Sequence, residues 1–333
     1  MAVERVVGLW AEVWLDGVDI SANVGPYLTR LSYMDFFDGD RPDTIEVHLE
    51  DTAGLFQGRC YPKKGSALRF EFGFDKPGRE IVFKSAAGFE VDEIDISGPP
   101  DVVKWKATGQ KPGGALHTKK SRTWENVGLE AIAQKIAGEH GLNLVFTTGL
   151  DINFSFVYQE RLSDLEFLKK LTKQSGISLS LKGGRDNLTL VATNVKKAME
   201  GEPVFEIRRQ DVARFRFTDQ AIQGAGGGVT RHLNHDTEEL VVTEIQGEGE
   251  GHQIVMPPIG QSPAAQLQGT ANKAAEGEKF YNLTMPGNPR LLSGVKVNLS
   301  GWGHNDGGWA ITESRHTLDA ASGYVTEIKL SRG

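Results

Sequence analysis

The sequence predicts a mainly β fold with an α+β insert, and three observations carry that reading. Apolar residues fall on alternate positions in run after run over residues 4–108, and again from about 204, the period of strands with one buried and one wet face. Between these regions two segments, 123–140 and Ser163 to Gly176, switch to helical spacing. Glycine supplies 40 of the 333 residues. That share exceeds the usual ~7% and points to many turns between short strands.

The first β region is 1–110. Val7, Leu9, Ala11, Val13 and Leu15 alternate, and Asp16-Gly17 follows as a hairpin turn, since both residues tolerate positive φ. Ile45, Val47 and Leu49 alternate with Glu46, His48 and Glu50. Leu68, Phe70, Phe72 and Phe74 alternate with Arg69, Glu71 and Gly73. Further strands are expected at 80–84, 89–96 and 101–107. About seven such runs predict an antiparallel barrel or sandwich. Trp10 and Trp14 fall on the wetter face of the first strand. Such a face calls for a cover, either another subunit or the chain itself.

The α+β insert is 111–203, set off by the breaker cluster Gly109 to Gly114. Val127, Ala131, Ile132, Ala133 and Ile136 predict a helix over 123–140, with Gly141 just past its end. Ser163-Asp-Leu-Glu166 is a capping box that starts a second helix. Leu165, Leu168 and Leu171 form its apolar stripe; Lys169, Lys170 and Lys173 form its wet face. Ile177–Leu181, a Gly183-Gly184 turn and Leu188–Val191 predict a hairpin. The second β region is 204–333. Strands are expected at 204–208, 213–217, 295–299, 309–311 and 324–330. It also holds a glycine-rich loop at 223–252 and a helix at 262–279, opened by Ser262-Pro263 with Leu267, Ala271 and Ala274 on its face.

Composition excludes several classes. Cys60 is the one cysteine, so no internal disulfide and no paired-cysteine zinc or iron–sulfur site can form. Cys60 is expected to be a small buried or half-buried residue. No apolar run reaches the roughly 20 residues of a membrane span, and MAVERVVGLW does not read as a signal peptide. The net charge is −7 and the pI is near 5.7, unlike a generic nucleic-acid coat. The acidity is local: residues 1–110 carry 12 basic and 19 acidic side chains, against 13 and 10 in 111–203 and 12 and 15 in 204–333.

Candidate chemistry is sparse. His232, His235, Glu238 and Glu239 in RHLNHDTEE have zinc-ligand types, set against a solvated polar loop. Gly224 to Gly228 suggests a phosphate cradle but lacks the lysine and hydroxyl of a P-loop, so a flexible connection is expected. His304 with Asp306, and His316 after Ser314, offer parts of a hydrolase site without a GxSxG elbow, and structural roles are expected. Asp92, Glu93 and Asp95 offer paired carboxylates or simply a wet strand face. Lys119, Lys120 and Arg122 read as a solvated basic run. No catalytic, cofactor or metal residue is assigned, and the chain is read as no enzyme.

The insert and the C-terminus resemble a known family. Phe156-Val-Tyr-Gln-Glu-Arg-Leu-Ser-Asp-Leu-Glu-Phe-Leu-Lys-Lys-Leu-Thr-Lys-Gln-Ser-Gly176, followed by the hairpin to Val191, is similar to the helix motif of the phage late-control D proteins. Those are the baseplate hub proteins of contractile phages and phage-tail-like bacteriocins. Trp124 to Gly141 with Glu139-His-Gly-Leu142 fits as well. So do Gly294 to Gly303, Gly308 to His316 and Gly323 to Arg332. The resemblance covers most of the chain and is most specific at 156–191 and 291–332.

The resemblance implies two tube-protein-like antiparallel β-barrels per chain, separated by the insert, and a homotrimer that closes into a pseudo-six-fold ring. It implies a structural subunit joining the hexameric tail tube to the trimeric central spike by symmetry matching, with other baseplate proteins around it. Assembly in the bacterial host cytoplasm and a place in the virion or tailocin baseplate follow. The related type VI secretion spike proteins continue into a β-prism; this sequence stops at Gly333, so the spike is expected on a separate polypeptide. Acidic residues facing a lumen would let DNA pass without sticking; solubility is the alternative use of that charge. The rival functions are a tail-associated peptidoglycan hydrolase and a glycan-binding β protein.

Overall fold

The computed structural model describes residues 8–76, 79–84, 89–109, 114–183, 188–233, 239–247, 252–255, 262–319 and 321–332. The fold is mainly β. Its largest sheet has 14 strands and contains both β regions. Its main path runs from Arg214–Asp219 through Lys279–Pro286, Gly323–Ser331 and Gly307–Asp319 into Leu28–Phe36. It continues through Thr44–Glu50, Val102–Gly109, Phe89–Ser97, Ala67–Lys76 and Gly8–Leu15 to Val18–Asp19. The seam is the antiparallel pairing of Gly307–Asp319 with Leu28–Phe36, in register from Glu313 opposite Phe36 to Asp319 opposite Arg30. One short strand, Phe205–Arg208, pairs in parallel with Lys296–Ser300.

The alternation in the sequence becomes burial. Ile45, Val47 and Leu49 are fully buried, while Glu46 and His48 between them are half-exposed. They join Phe70, Phe72 and Trp105 in a core that also takes Leu318 and Tyr324 from the last hairpin. A second core lies in the insert, around Ile132, Ile136, Phe154, Phe167 and Leu168. A third, around Tyr281, Leu283, Trp309 and Leu330, lies on the C-terminal side of the seam. The Asp16-Gly17 turn forms as expected, at φ 51° and 77°. The Asp16 carboxylate accepts from the Ala67 amide at 2.8 Å and fixes the turn to the neighbouring strand.

Two expectations need correction. The first insert helix is Leu129–Glu139; residues 123–128 belong to a strand, Lys119–Gly128. That strand pairs antiparallel with Asn153–Ser163, putting Val127 opposite Phe154 and Trp124 opposite Val157. The ladder supplies the backbone bonds, and Gly128, in extended conformation, marks the switch to helix. The glycine-rich stretch 223–252 also holds two paired strands, Gly227–Leu233 and Leu240–Gln246, with Ile254–Val255 beside them. Its glycines serve close approach: at Gly227 (φ +105°) a Cβ would lie 2.3 Å from the Ile245 carbonyl oxygen.

The other two expected helices lie close to their expected bounds, and short helices at Ser21–Val24 and Val195–Met199 are unexpected. Asp164–Gln174 starts with both halves of the capping box in place. Phe167, absent from the expected stripe, is fully buried beside Leu168, and Leu165 is only half-buried. Pro263–Glu278 buries Leu267 and Ala271 and leaves Ala274 half-buried. The Ser262 hydroxyl caps nothing in its own helix; it accepts from the Asn153 amide at 3.1 Å and so ties this helix to the insert.

Candidate functional site

Two clusters of buried charge mark the places where the fold is held together. The first centres on Asp164, the first residue of its helix, where a negative charge suits the helix dipole. Its carboxylate is fully buried. Lys120 donates to it at 2.6 Å, Arg122 at 2.7 Å, His140 Nε2 at 2.8 Å and Gln159 at 2.8 Å. Arg122 also grips Glu139 at 2.9 and 3.0 Å and lies over the Trp124 ring at 4.5 Å. Burial works to raise the Asp164 pKa, but the bonds from His140, Lys120 and Gln159 and the Arg122 charge prevail and hold it at about 2. One atom each of Glu139, His140 and Asp164 lie within 4.8 Å of one another, a spacing a metal ion could use. Lys120 and Arg122 already occupy and neutralise both carboxylates. The arrangement is therefore an ion cluster binding two strands and two helices of the insert.

The second cluster joins the insert to the β sheet. Lys182, on Ser178–Gly183, donates to Asp35 at 2.5 Å, to Asp43 at 2.9 and 3.0 Å and to the Phe36 carbonyl at 2.7 Å. Asp35, at the end of Leu28–Phe36, also accepts from the amide and hydroxyl of Ser293 at 2.7 and 2.9 Å. One carboxylate thus touches both β regions and the insert. Burial pushes Asp43 up to about 6, with Lys182 opposing and the Asp35 charge adding. For Lys182 burial opposes the charge, yet the two carboxylates win and raise its pKa. Nearby, Lys273 of Pro263–Glu278 bonds Asp38 at 3.0 Å, Glu276 at 2.9 Å and Ser178 at 2.9 Å. The same helix meets the insert backbone to backbone: a Cβ at Gly269 would lie 1.9 Å from the Ser175 carbonyl oxygen. A cavity of about 580 Å³ borders this junction, between Phe37, Lys182, Lys197 and Ser293.

The residues singled out from sequence fall elsewhere. Ser314 and His316 do meet, with Oγ 2.8 Å from Nε2, and His316 Nδ1 lies 2.8 Å from the Tyr324 hydroxyl. The Ser314 hydroxyl donates to the Leu291 carbonyl, and the His316 ring is fully buried. Burial holds His316 down at about 4. The pair is buried, and its polar atoms bond to Leu291 and Tyr324. His304 and Asp306 lie in an exposed turn, where Asp306 accepts from the Trp302 amide at 2.6 Å. Asp92, Glu93 and Asp95 are exposed on their strand, with Glu93 paired to Lys106 at 3.1 Å.

Of RHLNHDTEE, His235 and Glu238 lie outside the described residues, as does the His232 side chain; Glu239 is exposed. The Gly224–Gly228 run is neither cradle nor flexible connection: Gly224 donates to the His252 carbonyl at 2.5 Å and Gly227 opens a strand. Cys60 is exposed, not buried, because it sits in a turn-rich segment with its amide bonded to Leu55. Lys120 and Arg122 are engaged with buried Asp164 rather than solvated; Lys119 is exposed. Trp14 is half-buried under Arg69, whose guanidinium lies 4.0 Å from its ring, so the chain supplies part of that cover itself. Sequence reasoning missed Asp164, Asp35, Asp43 and Lys182. An acid just after an N-cap serine reads as an ordinary helix start.

No family model matches the chain. Two curated relatives, each a "Probable baseplate hub protein", come from Escherichia phages P2 and 186. They are 29% and 27% identical over 222 and 224 residues, covering 66% of this chain and 55% of each relative. The chain is similar in sequence to these phage baseplate hub proteins. The match spans little more than half of each relative's length. The fold is shared with solved tail proteins. The 43 kDa tail protein of prophage MuSo2 from Shewanella oneidensis has a TM-score of 0.68 at 15% identity, over 98% of both chains. An Escherichia coli component of the type VI secretion system has a TM-score of 0.56 at 10% identity, over 96% of this chain and 76% of that one. That protein is described as structurally similar to the T4 phage tail proteins gp27 and gp5. These relatives are named as baseplate, tail and secretion components, not as enzymes.

Proposed function

We propose that this chain works as a homotrimer that joins a hexameric tail tube to a trimeric central spike. Each chain contributes two tube-like β units, 1–110 and 204–333, with 111–203 as an outer insert. Three chains then offer six similar positions to the tube and three to the spike. The seam between Gly307–Asp319 and Leu28–Phe36 carries this reading. It joins the two β regions in one sheet, an arrangement that suits a pseudo-repeat in a ring. The buried charge at Asp35, Asp43 and Lys182 then fixes how the insert stands on that sheet. Tube, spike and neighbouring baseplate proteins are the partners, the baseplate is the location and the host cytoplasm the site of assembly. The acidic side chains of 1–110 suit a lumen along which DNA slides.

Mass in solution, combined with negative-stain images, tests the reading. A trimeric ring with a central hole is expected. A compact monomer that degrades peptidoglycan overturns it.

A further inference from the structure

Arginines of this chain that lie over aromatic rings differ in what their guanidinium groups bond. Arg122, 4.5 Å from the Trp124 ring, holds Glu139 and Asp164. Arg41, 4.1 Å from the Phe36 ring, holds Glu313 at 2.6 Å. Arg332, over Trp309, bonds the Asp306 carbonyl. Arg209 lies over two rings, 3.8 Å from Phe215 and 5.0 Å from Trp302, and bonds no acceptor among the described residues. Those rings are themselves held. They meet edge to face at 5.3 Å, Trp302 packs on Tyr281 at 5.0 Å, and the Trp302 indole donates to the Ile207 carbonyl at 3.3 Å. Arg209 is exposed and Phe215 is 43% exposed, so the cluster opens to solvent. Arg208, Arg214 and Arg216 stand in the same stretch, exposed and likewise without an ion pair among the described residues. Asp211 and Asp306 lie in the adjoining turns, and neither pairs with Arg209. Arg69, over Trp14, also bonds no acid, but its strand face carries Glu71 two places on, with Glu12 opposite.

We propose that Arg209, braced by Phe215 and Trp302, binds a carboxylate on an acidic segment of a partner protein. A guanidinium offers a planar fork of donors that matches a carboxylate with two parallel bonds. Contact with two fixed rings orders the Arg209 side chain before a partner arrives, which lowers the entropy lost on binding. Arg122 and Arg41 show the same pairing of ring, guanidinium and carboxylate completed within the chain. At Arg209 the ring and the guanidinium are in place and the acid is left for another molecule to supply. Arginine and tryptophan are also the residue types that dominate the binding energy of protein interfaces. The neighbouring arginines add a field that steers an acidic partner and speeds its arrival. A single-stranded nucleic acid would need ring faces on which its bases stack. Arg209 already takes a face of each ring, so the cluster suits a carboxylate better than a base. The contact holds for any number of copies and does not rest on the ring reading above.

Fluorescence anisotropy on the full chain tests it, with a fluorescein-labelled octaglutamate peptide as the probe. Saturable binding is expected, and Arg209→Gln is expected to weaken it at least ~10-fold. Arg209→Lys keeps the charge but not the fork, and most of the loss is expected to remain. Arg214→Gln with Arg216→Gln should cost only a few-fold, since those residues steer rather than bind. Arg69→Gln should change nothing. Circular dichroism matching wild type establishes that these substitutions leave the fold intact. Absence of saturable binding up to about 1 mM peptide overturns the site. So does full binding by Arg209→Lys, or an equal loss in the Arg214→Gln, Arg216→Gln chain, since either reduces the effect to general charge. A labelled oligothymidylate that binds more tightly than the peptide and depends on Arg209 overturns the choice of a protein partner. Sedimentation velocity gives the remaining arm: self-association of wild type that Arg209→Gln abolishes would place the acid on a second copy and overturn a separate partner.

Discussion

Asp164 and Asp43 are both buried carboxylates bonded to a lysine, and they end at opposite limits of the carboxylate range. Asp164 is held at about 2 and Asp43 is pushed up to about 6. The difference lies in the count of charges. Asp164 receives Lys120, Arg122, His140 and Gln159, with the second acid, Glu139, drawn off by Arg122. Asp43 shares one ammonium, Lys182, with a second buried acid, Asp35. Burial opposes ionisation at both sites, and only the first has enough positive charge to override it. Depth of burial alone therefore predicts neither state. The Asp164 cluster works as a lock inside one unit. The Asp43 cluster works as a joint between units whose charge balance depends on pH.

Removing the better-satisfied acid should cost most. Asp164→Ala leaves Lys120 and Arg122 partly buried with Glu139 as their remaining acid, and is expected to destabilise the chain by about 3–5 kcal/mol in urea unfolding at pH 7. A loss under about 1 kcal/mol would show that the cluster relaxes into water and locks nothing. Lys182→Met is expected to cost less, about 2–3 kcal/mol at pH 7, because protonation of Asp43 can relieve the two acids left facing each other. The same variant should lose less at pH 5, where that proton is already bound. Equal losses at both pH values would count against a shared, pH-dependent joint.

The comparison also fixes a sign. A raised acid binds its proton more tightly in the folded chain, so the stability Asp43 contributes is fully present below its ordinary 3.8 and lost as pH rises through about 6. Asp164 does the reverse: its contribution is present above 3.8 and lost as pH falls toward 2. Buried neutral His316 sides with Asp164, its contribution being present above 6.5 and lost as pH falls through about 4. Over pH 4–6 the Asp43 and His316 contributions therefore oppose each other. In Asp43→Asn the stability should rise more steeply with pH over that window than in wild type, by about 1 kcal/mol per unit. Parallel curves for the two proteins would remove Asp43 from the account.

Period-2 alternation made the strands legible, because each core-facing residue is spaced by the backbone itself. Ile45, Val47 and Leu49 could be placed from their own neighbours. The helix after Ser163 was legible for the same reason, since a capping box is a local device. Val127 misled, because an apolar residue four places ahead of Ala131 fits a helix as well as a strand, and its distant partner Phe154 decides. The glycines of 223–252 were legible as glycines but not as close contacts, which depend on residues elsewhere, such as Leu267 against Gly228. The charged sites were the least legible. Lys182 stands 147 residues from Asp35, and no local pattern links them.

The smallest expected effect tests how far the lock depends on its local frame. Ser163 Oγ accepts from the Glu166 amide at 3.3 Å, and Glu166 accepts in return from the Ser163 amide at 2.8 Å. Together they set where the helix begins and so where Asp164 stands. Ser163→Ala removes one half of this box, and about 1 kcal/mol of stability should be lost. If the cap only terminates a helix, that loss is the whole effect, and the Asp164 carboxyl signal titrates as in wild type by NMR. If the cap also aims Asp164 at Lys120 and Arg122, its pKa moves up from about 2 toward the ordinary value. The second outcome is expected. The four donors around Asp164 come from three other segments of the insert, and the cap, with the strand pairing of Ser163 opposite Lys119, sets its backbone at the point where they converge.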